Sequence, residues 1–429
     1  MTATDTHRAI EAVWRIESAR IIAGLARIVR DVGLAEELAQ DALLAALQQW
    51  PESGIPDNPG AWLMAAAKHR AIDHFRRNAR IERKHEALGR ELQAQQELAV
   101  PDFDAALDDT VGDDLLRLVF IACHPVLSTE GRVALTLRLL GGLTTDEIAR
   151  AFLVPEPTVA QRIVRAKRTL SEARVPFEVP RGSDLAARLS SVLEVIYLIF
   201  NEGYSATAGD DWMRPGLCED ALRLGRILAE LAPKEPEVHG LVALMEIQSS
   251  RARARVSSSG EPILLLEQNR AEWDQLLIRR GLAALERAEK LGGRQGPYAL
   301  QAAITACHAR AATAEETDWA RIVSLYDALA QVTPSPIVEL NRAVAVGMAF
   351  GPAAGLKVVD ALTTEASLAG YHLLPSVRGD LLKKLGRFEE AQKEFERAAA
   401  LTRNARERKM MLERVRECAA SGSQTSAGS

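Results

Sequence analysis

The chain has 429 residues, of which 47% are hydrophobic, 26% are charged and 5% are aromatic. This length is too great for one compact hydrophobic core, and it predicts two or three domains. The formal net charge is −5, from 53 basic and 58 acidic side chains. No overall excess of positive charge marks a nucleic-acid binder, so any surface that attracts nucleic acid must come from local clustering.

Residues typical of helices dominate the chain, and patterns typical of strands are nearly absent, which predicts an all-α fold. The first clear helical pattern is AEELAQDALLAALQQWP, residues 35–51. Its leucines, Leu38, Leu43, Leu44 and Leu47, are expected to be buried. Five polar residues around them are expected to form an outward acidic face: Asp31, Glu36, Glu37, Gln40 and Asp41.

The next helical pattern, NPGAWLMAAAKHRAIDHFRRNAR (58–80), is basic. Leu63, Ala67, Ala71 and Phe75 recur every four residues and predict an apolar stripe on one side of a helix. Positive charge is expected on its other sides, from Lys68, Arg70, Arg76 and Arg77 among others. Such a helix packs by one side and offers cations with the other.

The sign of the charge then reverses. From Glu91 to Leu116 there are eight acidic residues and no Lys or Arg, and Pro101 interrupts the segment. We predict an acidic linker over residues 86–112, between a first helical domain (8–85) and a second one (113–176).

The most informative segment is LTTDEIARAFLVPEPTVAQRIVRAKRTL (143–170). Thr144 and Glu147 have the spacing of a capping box that starts a short helix. A turn at residues 153–155 leads to a second helix with an apolar stripe: Val159, Ile163, Ala166 and Leu170. Five donors are expected on its opposite face: Thr158, Gln161, Arg162, Arg165 and Arg168. This helix-turn-helix pattern favours DNA binding in a major groove over an ordinary solvated basic helix.

Residues 183–415 are predicted to form a third, longer region of helical repeats. The segment GRFEEAQKEFERAAAL (386–401) has the small and aromatic residues of a tetratricopeptide repeat, and Gly379 and Leu382 fit its first helix. Looser copies end at Pro233 and Pro334. Stacked helix pairs form a concave surface, so we expect a protein partner for these repeats. Residues 416–429 are expected to be a disordered tail.

With these two basic helical patterns in this order, the chain resembles the extracytoplasmic-function sigma factors of bacterial RNA polymerase. Residues 35–51 look like the polymerase-binding helix of sigma region two, and residues 58–77 resemble the helices that open and read the minus-ten promoter element. Residues 127–170 look like region four, which reads the minus-thirty-five element. Two such motifs in the right order are more specific than either alone. The long region that starts near Ser183 and contains VIYLIFNEGY (195–204) is similar to the extension of one sigma-factor group.

The resemblance implies two partners, core RNA polymerase and promoter DNA. It implies that polymerase is bound through Asp31, Glu36, Glu37, Gln40 and Asp41. It further implies that DNA is contacted by Lys68, Arg70, Arg76 and Arg77 in the first domain, and by Thr158, Gln161, Arg162, Arg165 and Arg168 in the second. A regulatory role is implied for the helical extension.

Two other functions remain open at this stage. One is a stand-alone helix-turn-helix transcription regulator with a tetratricopeptide-like sensor domain, and the other is a scaffold in which the basic faces are incidental. An enzyme is not expected, because no nucleophile–base pair, metal-ligand spacing or phosphate loop stands out; the adjacent Cys123 and His124 would diverge on a helix. We therefore expect no catalytic residues, metal or cofactor.

The cysteines, Cys123, Cys218, Cys307 and Cys418, lie far apart with no CxxC pair, which argues against a zinc ribbon and against a disulfide framework. No segment has the length and apolarity of a signal peptide or a membrane span. The sequence therefore predicts a soluble cytoplasmic protein with no membrane association.

Overall fold

The computed structural model describes residues 3–88, 111–152, 154–180, 183–206, 208–209, 211–257 and 260–427. The chain divides into two compact units, residues 1–196 and 197–429. Among the described residues the regular structure is helical, apart from one pairing of two-residue strands and one isolated bridge between Val256 and Pro262, which confirms the all-α prediction. None of the described helices combines the length and apolarity needed to cross a bilayer.

The first unit begins with three helices that pack on one another: α1 (Ala3–Val29), α2 (Val32–Ser53) and α3 (Pro59–Leu88). Asp31 caps α2, since its carboxylate accepts a hydrogen bond from the Leu34 amide at 2.8 Å. In α3, Leu63, Ala67 and Ala71 are fully buried, as the apolar stripe predicted, and Phe75 is half-buried. We call these three helices the first bundle.

The second bundle also lies in the first unit. It contains α4 (Val111–Ala122), α5 (Thr129–Thr136), a π-helical turn (Leu137–Gly141), α6 (Thr145–Phe152) and α7 (Glu156–Glu172). The predicted capping box of α6 is present: the Thr144 amide donates to Glu147 at 2.7 Å, and the Glu147 amide donates to the Thr144 hydroxyl at 3.2 Å. The predicted stripe of α7 is buried throughout. The second bundle packs on the first, mainly through α4 and the π-helical turn against α1.

Residues 89–110, which include most of the predicted acidic linker, lie outside the described residues. The next described helix, α8 (Ser183–Tyr204), crosses the boundary between the two units. Its first half packs on the second bundle, where Arg188 donates to the Phe120 carbonyl and the Ser191 hydroxyl donates to the Cys123 carbonyl, both at 2.7 Å.

The second unit is a series of antiparallel helix pairs in which each helix contacts its neighbours in the chain. Its helices are α9 (Pro215–Leu231), α10 (Pro236–Ser249), α11 (Gln275–Lys290), α12 (Pro297–Arg310), α13 (Trp319–Val332), α14 (Pro336–Phe350), α15 (Pro352–Leu362), α16 (Leu373–Lys384), α17 (Phe388–Leu401) and α18 (Ala405–Ala427). The predicted repeat at 379–401 is the α16–α17 pair. Gly379 lies against the ring of Phe395, where a Cβ atom would be only 2.9 Å from a ring carbon.

The ends of the second unit are joined. Strand β1 (Ala208–Gly209) follows α8, and it pairs in parallel with β2 (Arg403–Asn404), which precedes α18. The fully buried Asn404 side chain donates to the carbonyls of Ala206 at 3.2 Å and Asp211 at 2.9 Å. Helix α18 runs to Ala427 and Cys418 is buried. The disordered tail expected at 416–429 is therefore helical as far as Ala427.

Candidate nucleic-acid and protein interfaces

Helix α7 carries its predicted donors on the side opposite its buried stripe. Gln161, Arg165 and Arg168 are exposed, and Thr158 and Arg162 are half-buried. Four of the five line one groove of about 330 Å³, namely Thr158, Gln161, Arg162 and Arg165. The other wall is the segment from Val126 to Gly131 at the start of α5.

The groove combines two guanidinium groups with the amino-terminal end of a helix. Ser128 caps α5, because its hydroxyl accepts a hydrogen bond from the Gly131 amide at 3.2 Å. Free backbone donors at a helix start and arginine side chains are both groups that bind phosphate oxygens. These donors suit a phosphate oxygen, and the acidic residue Glu130 lines the same groove.

Arg168 does not line the groove. It pairs with Glu172 one turn later at 2.6 Å, and both side chains are exposed. This hydrogen bond to Glu172 raises the pKa of Arg168. Because exposed pairs of this kind contribute little to stability, Arg168 can exchange this partner for a phosphate at small cost.

Helix α3 presents a second set of cations. Arg76 and Arg77 are exposed, while Lys68 and Arg70 are half-buried. The Nε atom of Arg70 lies 4.0 Å from the Oδ2 atom of Asp41 in α2. Trp62, at the start of the same helix, is half-buried and makes an edge contact with Trp50 at 5.3 Å between ring centroids. The described part of α3 thus packs by its apolar stripe and leaves positive charge accessible.

The acidic residues of α2 do not form one outward face. Glu37 and Asp41 are exposed, but Glu36 is only 2% exposed, so the expectation of an outward position is wrong for Glu36. It is also wrong that Leu44 is buried, because this side chain is 55% exposed on the same side as Glu37 and Asp41. Small residues explain the difference: five alanines of α2 fill the contact positions, so the helix packs more closely than its leucine pattern suggests.

Glu36 is held by the second bundle. Its carboxylate lies 2.6 Å from the Arg138 Nε atom and 2.5 Å from the Lys167 Nζ atom, and Gln40 donates to it from the next turn. Arg138 lies on the π-helical turn and Lys167 on α7. The helix with the candidate polymerase residues and the helix with the candidate DNA residues are therefore bound together by a buried ion cluster.

Further ion pairs follow the same boundary. Arg15 of α1 contacts Glu147 of α6 at 3.0 Å, and Arg27 of α1 contacts Asp114 of α4 at 3.0 Å. No local pattern in the sequence indicates Arg138 or Lys167 as partners of Glu36. Arg138 is 102 residues from Glu36, and no local spacing can show a contact at that distance.

Cys123 and His124 do not form a reactive pair. Burial raises the pKa of the Cys123 thiol to about 11, against the hydrogen bond with Thr136 at 3.3 Å that lowers it. Burial, together with the charge of Arg188, lowers the pKa of His124 to about 4. At neutral pH the thiol is protonated, which is the form without nucleophilic activity. Among the described residues, no group of three or more His, Cys, Asp or Glu is arranged to hold a metal ion.

Three segments of the chain match models of protein families. Residues 16–81 match Sigma-70 region 2, and residues 117–170 match Sigma-70, region 4. The chain belongs to the extracytoplasmic-function sigma factors. Residues 188–289 of this sigma factor match a family of unknown function (DUF6596), which covers α8 to α11.

Relatives of the sigma factor fall into two kinds. The chain is 44% identical over 384 residues to the uncharacterized protein R00370 of Rhizobium meliloti (strain 1021), covering 89% of each chain. It is 28% identical over 179 residues to the probable ECF RNA polymerase sigma factor SigI of Mycobacterium tuberculosis (strain ATCC 25618 / H37Rv), covering 40% of this chain and 58% of that one. It is also 28% identical over 155 residues to the ECF RNA polymerase sigma factor SigK of Mycobacterium ulcerans (strain Agy99), covering 35% of this chain and 78% of that one.

Both sigma regions of this family member lie in the first unit. Sigma domains of these two kinds bind core RNA polymerase and promoter DNA, and they perform no enzymatic reaction. The exposed cations of α3 and α7 and the exposed acids of α2 therefore lie within the domains that face these two partners.

Proposed function

We propose that this sigma factor directs transcription initiation by docking α2 on core RNA polymerase and by reading two promoter elements with α3 and α7. The observation that carries the proposal is that α3 and α7 are built in the same way. Each helix is fixed by a buried apolar stripe and presents cations on the opposite side. Two separate cationic helices suit a factor that contacts two separate DNA segments.

The docking surface we propose on α2 has an exposed and a covered part. Glu37 and Asp41 are accessible, and the exposed Leu44 lies about one turn after Asp41, where it provides an apolar contact beside the two charges. Glu36 and Gln40 are engaged by the second bundle, and Asp31 caps the helix. Polymerase would meet Glu37 and Asp41 first, and Glu36 and Gln40 only after α7 has moved away.

Lys68, Arg70, Arg76 and Arg77 of α3 are proposed to contact the minus-ten element. Thr158, Gln161, Arg162, Arg165 and Arg168 of α7 are proposed to contact the minus-thirty-five element. Elements 25 base pairs apart are separated by roughly 85 Å at about 3.4 Å per base pair. Lys167 of α7 lies 2.5 Å from Glu36 of α2. Reading both elements therefore requires the two bundles to separate, and the described arrangement is a closed state of the first unit.

The second unit is proposed to regulate sigma activity and to offer its helical repeats to a protein partner. It has its own buried clusters within α10–α14 and α14–α18, so it is built as a body distinct from the promoter-reading bundles. A shortened chain should end after Ile196 and not near Pro180, because the first half of α8 donates hydrogen bonds to the second bundle. Comparing transcription by the chain that ends at Ile196 with transcription by the full chain measures the contribution of the second unit.

The decisive experiment reverses charge on the exposed acids. Glu37→Lys with Asp41→Lys should abolish binding to core polymerase in a pull-down assay, while circular dichroism remains unchanged because both side chains are exposed. The matched control is Glu172→Lys, an exposed acid on α7, which should leave polymerase binding intact. Retained binding by the double variant would contradict the proposed docking surface.

A gel shift separates this function from the stand-alone regulator. The sigma factor should retard promoter DNA strongly only when core polymerase is present. Strong, sequence-specific retardation by the chain alone would favour the stand-alone regulator.

A further inference from the structure

Three arginines of the second unit cluster around aromatic rings between α10 and α11. Arg251 and Arg255 are 7% and 5% exposed. The Cζ atom of Arg251 is 5.8 Å from the ring centroids of both Tyr204 and Trp273. Arg255 stacks on Tyr204 at 3.5 Å, and Arg270 faces Trp273 at 5.0 Å. The rings shield these cations from water on several sides.

The three guanidinium groups differ in their hydrogen bonds. Arg270 donates to the carbonyls of His308 and Ala311 at 2.7 Å and to the Thr317 hydroxyl at 3.0 Å. Arg255 donates to the carbonyl of Tyr204. The Arg251 side chain donates to no acceptor in the described part of the chain, and its Nε atom is fully enclosed. A buried guanidinium without an acceptor is costly, so Arg251 is the member that lacks a partner.

Negative charge is also lacking around the cluster. Within the described residues, no carboxylate lies within 4 Å of any of the three arginines, whereas Arg226 and Arg280 in the same unit both reach Glu246. The charges of two exposed residues, Glu315 and Glu316, act on Arg270. Like charges confined at low dielectric repel one another, and an anion between them would remove that repulsion.

The mutual repulsion also shifts the pKa values of the neighbouring groups. Burial lowers the pKa of Arg255 and of Arg270, and the charge of Arg251 lowers both further. Burial lowers the pKa of His308 to about 3, with added contributions from Arg251 and Arg270. The charge of Arg251 therefore acts on three neighbours, Arg255, Arg270 and His308, in the direction expected of an additional cation.

Unused donors are concentrated at the same place. The Nε atoms of Arg251 and Arg270 and the Nε1 atom of Trp273 are enclosed and have no acceptor. We propose that this cluster is a binding site for a small phosphate-type oxyanion, with Arg251 as its principal ligand and Arg255 as its second. Two arginines match the tetrahedral array of oxygens on a phosphate group, since each guanidinium can donate two parallel hydrogen bonds.

The degree of burial selects a small anion over a nucleic-acid strand. With 7% of Arg251 exposed, there is no room for a continuous phosphate backbone on both sides of the contact. A phosphate group, either free or on a small metabolite, needs contact with only one part of the cluster. Inorganic phosphate is therefore the probe to use, and a phosphorylated sugar distinguishes a free ion from a phosphate ester.

The test is a thermal-unfolding series on the full chain. We expect 10 mM phosphate to raise the melting temperature of the second unit by about 2–4 °C above that in sodium chloride of equal ionic strength. Acetate at the same ionic strength should give a smaller increase. Arg251→Gln should remove the phosphate increment, and Arg253→Gln, at an exposed neighbouring position, should keep it.

Several outcomes would overturn the site. These are equal melting temperatures in phosphate and chloride, an increment that persists in Arg251→Gln, or displacement of phosphate by a short single-stranded DNA. If Arg251→Gln does not fold, Arg251→Lys keeps the charge without the planar fork. That variant should weaken phosphate binding about tenfold in titration calorimetry, and unchanged affinity would also reject the proposal.

Discussion

The two units each bury a glutamate between two cations, but the origin of those cations differs. Glu246 of α10 is 1% exposed and contacts Arg226 of α9 at 2.9 Å and Arg280 of α11 at 3.4 Å. Glu36 is 2% exposed, and both of its cations come from a different bundle. The first arrangement joins helices that are neighbours in the same array. The second joins two bundles that must separate under the proposed function, so the same chemistry can serve either a permanent contact or a releasable one.

The largest effect is expected at the permanent cluster. Arg226→Ala combined with Arg280→Ala leaves the Glu246 carboxylate buried without a counter-ion. This should lower the free energy of unfolding of the second unit by about 3–5 kcal/mol, measured by urea denaturation. Adding Glu246→Gln to the pair should restore part of the loss, because a neutral amide is less costly to bury. A triple variant no more stable than the double one would show that charge burial is not the cause.

A second prediction concerns the groove beside α7 in the first unit, which is proposed to contact DNA. Arg162→Ala removes one guanidinium from the groove beside α7. If Arg162 reads a base, promoter binding by the polymerase complex should weaken by about 1–3 kcal/mol, and discrimination at one base pair should be lost. The measurement is a competition assay across a set of single-base promoter variants. Equal weakening on every sequence would assign Arg162 to a phosphate.

A third prediction concerns the pH dependence of the stability of the second unit. The pKa of His308 is lowered to about 3 by burial and by two nearby arginines, so the folded state resists protonation. The unfolded chain binds the proton near pH 6.5, and stability must therefore fall as the pH drops below that value. Between pH 6.5 and 5 the loss should be about 2 kcal/mol for this one group. It should disappear in His308→Gln, as followed by urea unfolding of the second unit at each pH. An identical slope in the variant would contradict the assignment.

The smallest effect on stability is expected at the releasable cluster. Arg138→Ala with Lys167→Ala removes both cationic partners of Glu36 and leaves only Gln40. Under the proposed function the two bundles separate, and water then solvates this carboxylate. The free energy of unfolding should therefore fall by only about 1 kcal/mol, while the population of the open state rises.

Spin labels at the exposed positions Gln48 of α2 and Val164 of α7 would report this opening as a growing fraction of long distances. Arg168→Ala, which breaks only an exposed pair, is the matched control and should change neither the distances nor the stability by more than about 0.5 kcal/mol. An unchanged distance distribution in the double variant would argue against a closed state held by Glu36.

Much of the fold could be predicted from local patterns. The capping box at Thr144 and Glu147 and the buried stripe of α7 depend on spacings of three and four residues, which a sequence displays directly. The same holds for the α16–α17 repeat, where Gly379 is required by the approach of Phe395. Each of these features is settled within about twenty residues of chain.

The errors arose where distant segments decide the outcome. Glu36 looks like a surface acid in its own helix, and only the arrival of Arg138 and Lys167 allows it to be buried. Leu44 looks like a core residue, yet alanines occupy the contact positions of α2 and leave it in solvent. The cluster around Arg251 draws on side chains from Tyr204 to His308, so no local pattern in the sequence predicts it.

The joining of the second unit at Asn404 limits how its architecture can change. In an open solenoid, a repeat can be gained or lost at one end, because each repeat contacts only its neighbours. Here one amide group holds the carbonyls of Ala206 and Asp211 across 198 and 193 residues of chain. Removing or inserting a helix pair would shift this amide away from both acceptors. The bonds of this amide and the adjacent strand pairing therefore favour a constant number of repeats, and variation among descendants of this protein is expected in helix surfaces rather than in array length.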